Sequence, residues 1–78
     1  MLKKTEKLVI TFHTTPEAMA MESACREEGA DGRLIPVPRV ISAGCGLAWC
    51  AGLSSEGALT ALMASHSIRA QGIYHCLV

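Results

Sequence analysis

Cys45 has the clearest chemical signature in the sequence, because it stands between two glycines in the segment Ser42-Ala43-Gly44-Cys45-Gly46. Glycine has no Cβ atom, so Gly44 and Gly46 leave the sulfur uncovered and let backbone N–H groups turn toward an anionic sulfur. The thiolate is the form of cysteine that acts as a nucleophile. The segment therefore predicts a functional thiol at Cys45; the alternative is a small apolar residue that fills a tight turn.

The other three cysteines carry weaker signals. Cys25 shares a helical face with Met21, which favours packing in the core. Cys50 has the opposite strand parity to Cys45 and is a second candidate, as a thiol that shuttles sulfur or resolves a disulfide. Cys76 is predicted to lie on an edge strand and to have no functional role. No two cysteines have the C-x2-C spacing of structural zinc sites, so we predict neither a metal nor a cofactor.

Hydrophobic periodicity predicts four strands and two helices in the order β-α-β-β-α-β. Thr14 and Glu17 have capping-box spacing at the start of the first helix, and Gly29 ends it. Pro36 and Pro38 cannot donate ladder hydrogen bonds, so the second strand must lie at an edge. The predicted strands are 7–13, 33–38, 47–51 and 73–78, and Ser54, Ser55 and Glu56 are predicted to cap the start of the second helix. This order indicates an α+β, ferredoxin-like βαββαβ two-layer sandwich with an antiparallel sheet in the order 4-1-3-2.

Strand polarity in that fold brings Cys45 to the same end of the sheet as His13 and Arg39, where the first helix also begins. A helix N-terminus, a guanidinium and an imidazole each favour the thiolate over the thiol. His13 and Arg39 are therefore predicted to support Cys45. The alternatives are that His13 is a solvated surface residue and that Arg39 is a solvated loop charge or holds an anionic substrate.

Length and composition limit the classes of protein that the chain can be. Its 78 residues make a single domain, 1–78, and half of them are apolar. Seven basic and seven acidic side chains give a net charge of zero, so no basic stripe is available for nucleic acid. No segment has the roughly 20 consecutive apolar residues of a membrane span, and no signal-peptide pattern is present. We therefore expect a cytoplasmic protein whose cysteines are free thiols.

Several segments in fixed order resemble the selenium/sulfur carrier-like family, a group of short bacterial domains. The most specific are 33–39, which contains Pro-x-Pro-Arg, and 41–48, which contains Gly-Cys-Gly. Segments 10–15, 18–20 and 72–74 extend the resemblance over nearly the whole chain. Domains of this family occur alone or behind a sulfurtransferase-like domain, in proteins linked to selenium metabolism.

The resemblance implies that Cys45 carries sulfur or selenium as a persulfide or selenosulfide, as a carrier protein rather than a turnover enzyme. It also implies donor and acceptor proteins as partners, such as a cysteine desulfurase. One rival hypothesis is a non-catalytic module for a small ligand or a protein, in which Cys45 is structural. Another is a redox sensor that uses Cys45 and Cys50. The second helix carries few charges on its outer side, which makes that side a candidate surface for a homodimer. Its outer residues are Thr60, Ala61, Ala64 and Ser65.

Overall fold

The computed structural model describes residues 5–41 and 46–77, and it has an α+β fold with a four-stranded antiparallel sheet and two helices. The elements in chain order are β1 (Glu6–Thr11), α1 (Thr15–Glu28), β2 (Arg33–Pro36), β3 (Leu47–Ala51), α2 (Glu56–Ser65) and β4 (Gly72–Leu77). A short 3₁₀ turn, Leu53–Ser55, leads into α2. Within the described residues, neither helix has the length and apolar character needed to cross a bilayer.

The strands pair in the order β2-β3-β1-β4, with every neighbouring pair antiparallel. Counted from the other edge, this is the predicted order 4-1-3-2. β2 lies at one edge, where Pro36 does not interrupt a central ladder, and β4 lies at the other. The two central strands are β1 and β3, which have the densest run of buried residues in the sheet.

Local signals explain where α1 begins and ends. Thr14 is the N-cap, and its side chain accepts a hydrogen bond from the backbone N–H of Glu17, as the predicted capping box requires. Gly29 closes the helix in the left-handed conformation at φ 68°, which glycine adopts without steric cost. Arg26 pairs with Glu22 one turn earlier, with 3.6 Å between Nη2 and Oε1. The predicted boundaries of this helix are confirmed.

Both helices pack on the same face of the sheet and form the hydrophobic core with it. From β1, Leu8, Ile10 and Phe12 enter this core, as their alternation predicts. Trp49 and Ala51 reach the same face from β3, because they lie opposite Ile10 and Leu8 in the register. The helical residues in the core are Ala18, Met21, Ala24, Cys25, Leu59, Leu62 and Met63.

We call the opposite side of the sheet the open face, since no helix of the described residues packs on it. Its residues alternate with the core residues along each strand: Lys7, Val9, Thr11, Arg33, Ile35, Ala48, Cys50, Gly72, Tyr74 and Cys76. Val9, Thr11 and Ala48 are fully buried even here. The Tyr74 side chain lies directly over Gly72, because a Cβ built on that glycine would come within 2.7 Å of both the ring atom Cε1 and the phenolic oxygen.

Four predicted strand boundaries differ from the structure. β1 starts at Glu6 rather than at Lys7. β1 ends at Thr11 rather than at His13, and β2 ends at Pro36 rather than at Pro38. β4 starts one residue earlier than predicted, at Gly72, and its predicted last residue lies outside the described residues. The capping role expected for the serines before α2 is also wrong: Ser55 is at the N-cap, but its hydroxyl makes no capping hydrogen bond. It donates instead to Asp31 Oδ2, 3.0 Å away, on a distant part of the chain.

Candidate functional site

The candidate site is one end of the sheet, where the end of β1, the end of β2, the start of β3 and the start of β4 come together. The register shows this directly, since Pro36 lies opposite Leu47, and Thr11 lies opposite both Ala48 and Gly72. α1 begins four residues after Thr11 and therefore starts at the same end. The convergence expected from strand polarity is confirmed for all the elements involved.

Buried Thr11 fixes the junction between β1 and β4 at this end. Its hydroxyl donates to the carbonyl oxygen of Gly72 at 3.3 Å, and its own carbonyl accepts from the N–H of Gln71 at 2.7 Å. A buried hydroxyl without a partner would cost about 1–3 kcal/mol, so this pairing holds the entry to β4 in place. The sheet end is therefore a rigid support for the loops that leave it.

Gly46 is the described residue that joins the Cys45 segment to β3. It has φ 78°, in the left-handed region that favours glycine, and a Cβ placed there would meet open space. Its carbonyl accepts from the N–H of Val37 at 3.0 Å, which extends the pairing of β2 and β3 by one step. Gly46 thus has a backbone conformation that favours glycine, and its role toward the thiol stays a prediction. Cys45 and Gly44 lie outside the described residues, so their predicted roles remain predictions.

His13 and Arg39 are both exposed near this end of the sheet. His13 lies between the last residue of β1 and the cap of α1. Arg39 belongs to the turn after β2, in which the N–H of Ile41 donates to the Pro38 carbonyl at 2.9 Å. Both side chains are therefore accessible to solvent.

The N-terminus of α1 already has an anionic neighbour, which the sequence argument did not weigh. The Glu17 carboxylate lies in the first turn, and its Oε1 accepts a hydrogen bond from the Thr14 hydroxyl at 3.2 Å. A carboxylate at this position offsets part of the positive end of the helix dipole. The contribution of this helix end to stabilising any anion nearby is therefore smaller than its position alone suggests.

The three described cysteines are free thiols in different surroundings. Cys25 is buried in the core, and this burial raises its pKa, as does the nearby negative charge of Glu28 to a smaller extent. Cys50 and Cys76 are half-buried, and both lie on the open face. They are separated by β1 and offset by two residues, about 12 Å between Cα atoms at ordinary strand spacings, which is too far for a disulfide.

A cavity of about 420 Å³ lies beside Cys50 on the open face. Arg33 is directly opposite Cys50 in the register, and Lys7 is its diagonal neighbour on β1, so two cationic side chains flank the thiol. Ile35 lines the cavity on the side nearer the Cys45 segment. Sequence reasoning missed this cluster; strand parity alone would have placed Lys7, Arg33 and Cys50 on one face, but only the register makes them neighbours.

Asp31 closes the far end of the same cavity and ties three elements together. Its Oδ2 accepts from the N–H of Gly52 and the hydroxyl of Ser55, both at 3.0 Å. Its backbone carbonyl accepts from Trp49 Nε1, also at 3.0 Å. The hydrogen bond from Gly52, followed by that from Ser55, lowers the pKa of the carboxyl below its ordinary value. This network was also missed, because its partners are about twenty residues apart in sequence.

Metal binding has no support among the residues that the structure describes, since no three His, Cys, Asp or Glu side chains are grouped there to hold an ion. Comparison with known proteins gives one result. A family model described as "Putative Se/S carrier protein-like" matches residues 7–75, nearly the whole chain. No curated protein and no solved structure shows significant similarity to the chain.

Proposed function

We propose that this chain, which belongs to the Se/S carrier protein-like family, carries a sulfur or selenium atom on the thiol of Cys45. The observation that carries the proposal is the family match, because it spans the Pro-x-Pro-Arg and Gly-Cys-Gly segments together with the strands that flank them. A family name does not fix the chemistry by itself, so the residues of this chain must supply the rest.

The loading step is an exchange between a thiolate and a persulfide. The Cys45 thiolate attacks the outer sulfur of a persulfide on a donor protein, such as a cysteine desulfurase. A new S–S bond forms on Cys45, and the donor cysteine leaves as a thiolate with the electron pair of the broken bond. The step needs no external oxidant. Delivery repeats it, with a nucleophile of the acceptor protein attacking the outer atom; for selenium the intermediate is a selenosulfide.

The residues around the proposed carrier thiol have supporting roles in this scheme. Arg39 offers an exposed positive charge that favours the thiolate and the anionic persulfide. His13, exposed at the same sheet end, is proposed to assist proton transfer when the thiol is loaded. Gly44 and Gly46 allow backbone amides to face the sulfur, and the positive φ of Gly46 supports this role.

The setting proposed for this chemistry is a ferredoxin-like domain in the cytoplasm, where thiols stay reduced. The support for the fold name is the element order together with the strand order and the packing of both helices on one face.

A redox sensor that pairs Cys45 with Cys50 has less geometric support. Cys50 lies four residues along from Gly46, about 13 Å at the rise of an extended strand. A residue bonded to Gly46 has its Cα within about 3.8 Å of it, so it stays about 9 Å or more from Cys50. A disulfide needs Cα atoms closer than about 7 Å.

A binding module remains the second candidate, and one observation favours it. The cavity beside Cys50 combines two cationic side chains, the Asp31 carboxylate at one end and an apolar wall at Ile35, which suits a small ligand with an anionic group near Lys7 and Arg33. Under this alternative Cys45 is structural, and sulfur transfer to the chain does not occur.

The deciding experiment is intact-mass measurement after the reduced protein is incubated with a cysteine desulfurase and cysteine. We expect the wild-type chain to gain the mass of one sulfur atom, and Cys45→Ser to gain none. Cys50→Ser and Cys76→Ser are matched controls, which should load as the wild type does. Loading of Cys45→Ser, or no loading of the wild type, would favour the binding module. Parallel incubations with a donor protein that carries a persulfide and with one that carries a labelled selenosulfide would distinguish the element carried, since both transfer the outer atom by the same exchange.

A further inference from the structure

The two edges of the sheet are protected very differently. β2 is only four residues long, carries Arg33 and Pro36, and is followed by a second proline, Pro38. Short length, charge and proline are the features that keep an edge strand from pairing with another chain. β4 is six residues long, Gly72–Leu77, and its sequence GIYHCL contains neither proline nor a Lys, Arg, Asp or Glu.

β4 also exposes apolar side chains on both of its faces. Ile73 is 40% exposed and Leu77 66% exposed on the helix side, and Tyr74 is 39% exposed on the open face. These are three of the five large exposed hydrophobic residues in the described chain, and they lie within one strand. An edge that is long, uncharged and apolar is a template for the addition of another strand.

We propose that β4 is a dimerisation edge, along which a second copy of this chain pairs antiparallel to form a continuous eight-stranded sheet. Two identical strands that pair antiparallel are related by a two-fold axis perpendicular to the sheet. The same edge of each copy therefore contacts the other, and no further partner is needed. The proposal does not depend on the function assigned to Cys45.

One register of the two strands is favoured by the side chains. With the two-fold axis at His75, Ile73 of each copy lies opposite Leu77 of the other, and the most exposed apolar residues cover each other twice. The same register sets Tyr74 opposite Cys76 of the second copy on the open face. With the axis at Tyr74 instead, Ile73 would lie opposite His75, and the Leu77 side chain would remain exposed to solvent.

The position of His75 agrees with this register. Its Nε2 is held 2.8 Å from Glu56 Oε1, which draws the imidazole toward α2 of its own copy. The centre of the interface is therefore formed by the backbone hydrogen bonds between the two strands and by the apolar side-chain pairs. Because antiparallel pairing runs the two β4 strands in opposite directions, the Gly46 end of each sheet lies far from that of the second copy, and both remain accessible.

One strand from each copy forms the interface, and contacts well below the roughly 1,600 Å² of a standard stable complex are typical of weak association, so we expect a weak dimer. Sedimentation velocity at chain concentrations from about 10 μM to about 1 mM, with a reductant present to prevent disulfides, measures it. We expect Leu77→Lys to weaken the dimer at least about tenfold, because the symmetry removes its cross-strand pair twice. Met19→Lys, which alters an exposed apolar residue on α1, is the matched control and should leave the Kd unchanged.

A wild-type chain that is monomeric at 1 mM would overturn the proposal, as would a dimer that Met19→Lys weakens and Leu77→Lys does not. Circular dichroism checks that each variant is folded. If Leu77→Lys fails to fold, a mixed sample of isotope-labelled and unlabelled wild-type chains replaces it. Contacts between the methyl groups of Ile73 and Leu77 across the two copies are then expected, and their absence from a dimer would refute the register and the edge.

Discussion

Timed alkylation of the native chain should rank its four thiols by burial and thiolate character. We expect iodoacetamide to modify Cys45 first, the half-buried Cys50 and Cys76 more slowly, and Cys25 last. Cys25 is only 1% exposed, and burial raises its pKa, so it is both shielded and mostly protonated near neutral pH.

The size of the protection at Cys25 follows from the stability of a small domain. At about 0.05–0.15 kcal/mol per residue, unfolding of this chain costs about 4–12 kcal/mol. If Cys25 reacts only from the unfolded state, even the lower figure holds the reactive population near 10⁻³, since every 1.4 kcal/mol is about tenfold. Its labelling should therefore be about a thousandfold slower than that of an exposed thiol, or slower still.

Mass-spectrometric mapping of quenched time points gives the four rates in one experiment. A denatured sample supplies the reference, in which the four rates should converge. Labelling of Cys25 within tenfold of Cys50 would contradict the packing described above. Labelling of Cys45 no faster than Cys50 and Cys76 would remove the physical basis for a carrier thiol.

Two further predictions concern the framework of the site. Gly32 has φ 116°, and a Cβ there would lie 2.3 Å from Trp49 Nε1 and 2.7 Å from the Cys50 carbonyl oxygen, so Gly32→Ala should cost about 3 kcal/mol or more in urea denaturation. Gly57→Ala, in open space on α2, is its control and should stabilise by about 0.5–1 kcal/mol; equal midpoints for the two variants would refute the argument. Asp31→Ala should cost only about 1 kcal/mol, because the lost acceptor is exposed. Since the pKa of Asp31 is lowered in the folded state, the wild-type advantage should be complete above the ordinary value of 3.8 and shrink as the pH falls below it. A difference that grew in acid would contradict the network.

The elements that could be predicted from sequence are those specified by neighbouring residues. The cap at Thr14 and the stop at Gly29 are local, so the bounds of α1 followed from spacing alone. The limits of β3 at Leu47 and Ala51 were also predicted, because both ends adjoin glycine. The hydroxyl of Ser55 was not, since its acceptor is 24 residues away. A capping side chain needs an extended backbone at the N-cap, whereas Ser55 leaves the 3₁₀ turn with helical dihedral angles, φ −87° and ψ −3°. Its hydroxyl is therefore not placed to cap α2.

In the candidate site, the features that depend on strand topology could be predicted, and those that depend on strand register could not. The convergence of strand ends beside Gly46 follows from strand order and direction, both of which the β-α-β-β-α-β pattern predicts. The flanking of Cys50 by Lys7 and Arg33 depends on register, and a slip of one residue would turn every side chain of a strand to the other face.

The register separates Cys50 from the segment that carries Cys45. Cys50 faces the cationic cavity, about 13 Å along β3 from Gly46. If both thiols handle sulfur, a small thiol that fits beside Lys7 and Arg33 is a candidate relay between them. A Cys50→Ser variant that loads normally but delivers more slowly would be the signature of such a relay, whereas normal delivery would leave Cys45 as the sole carrier.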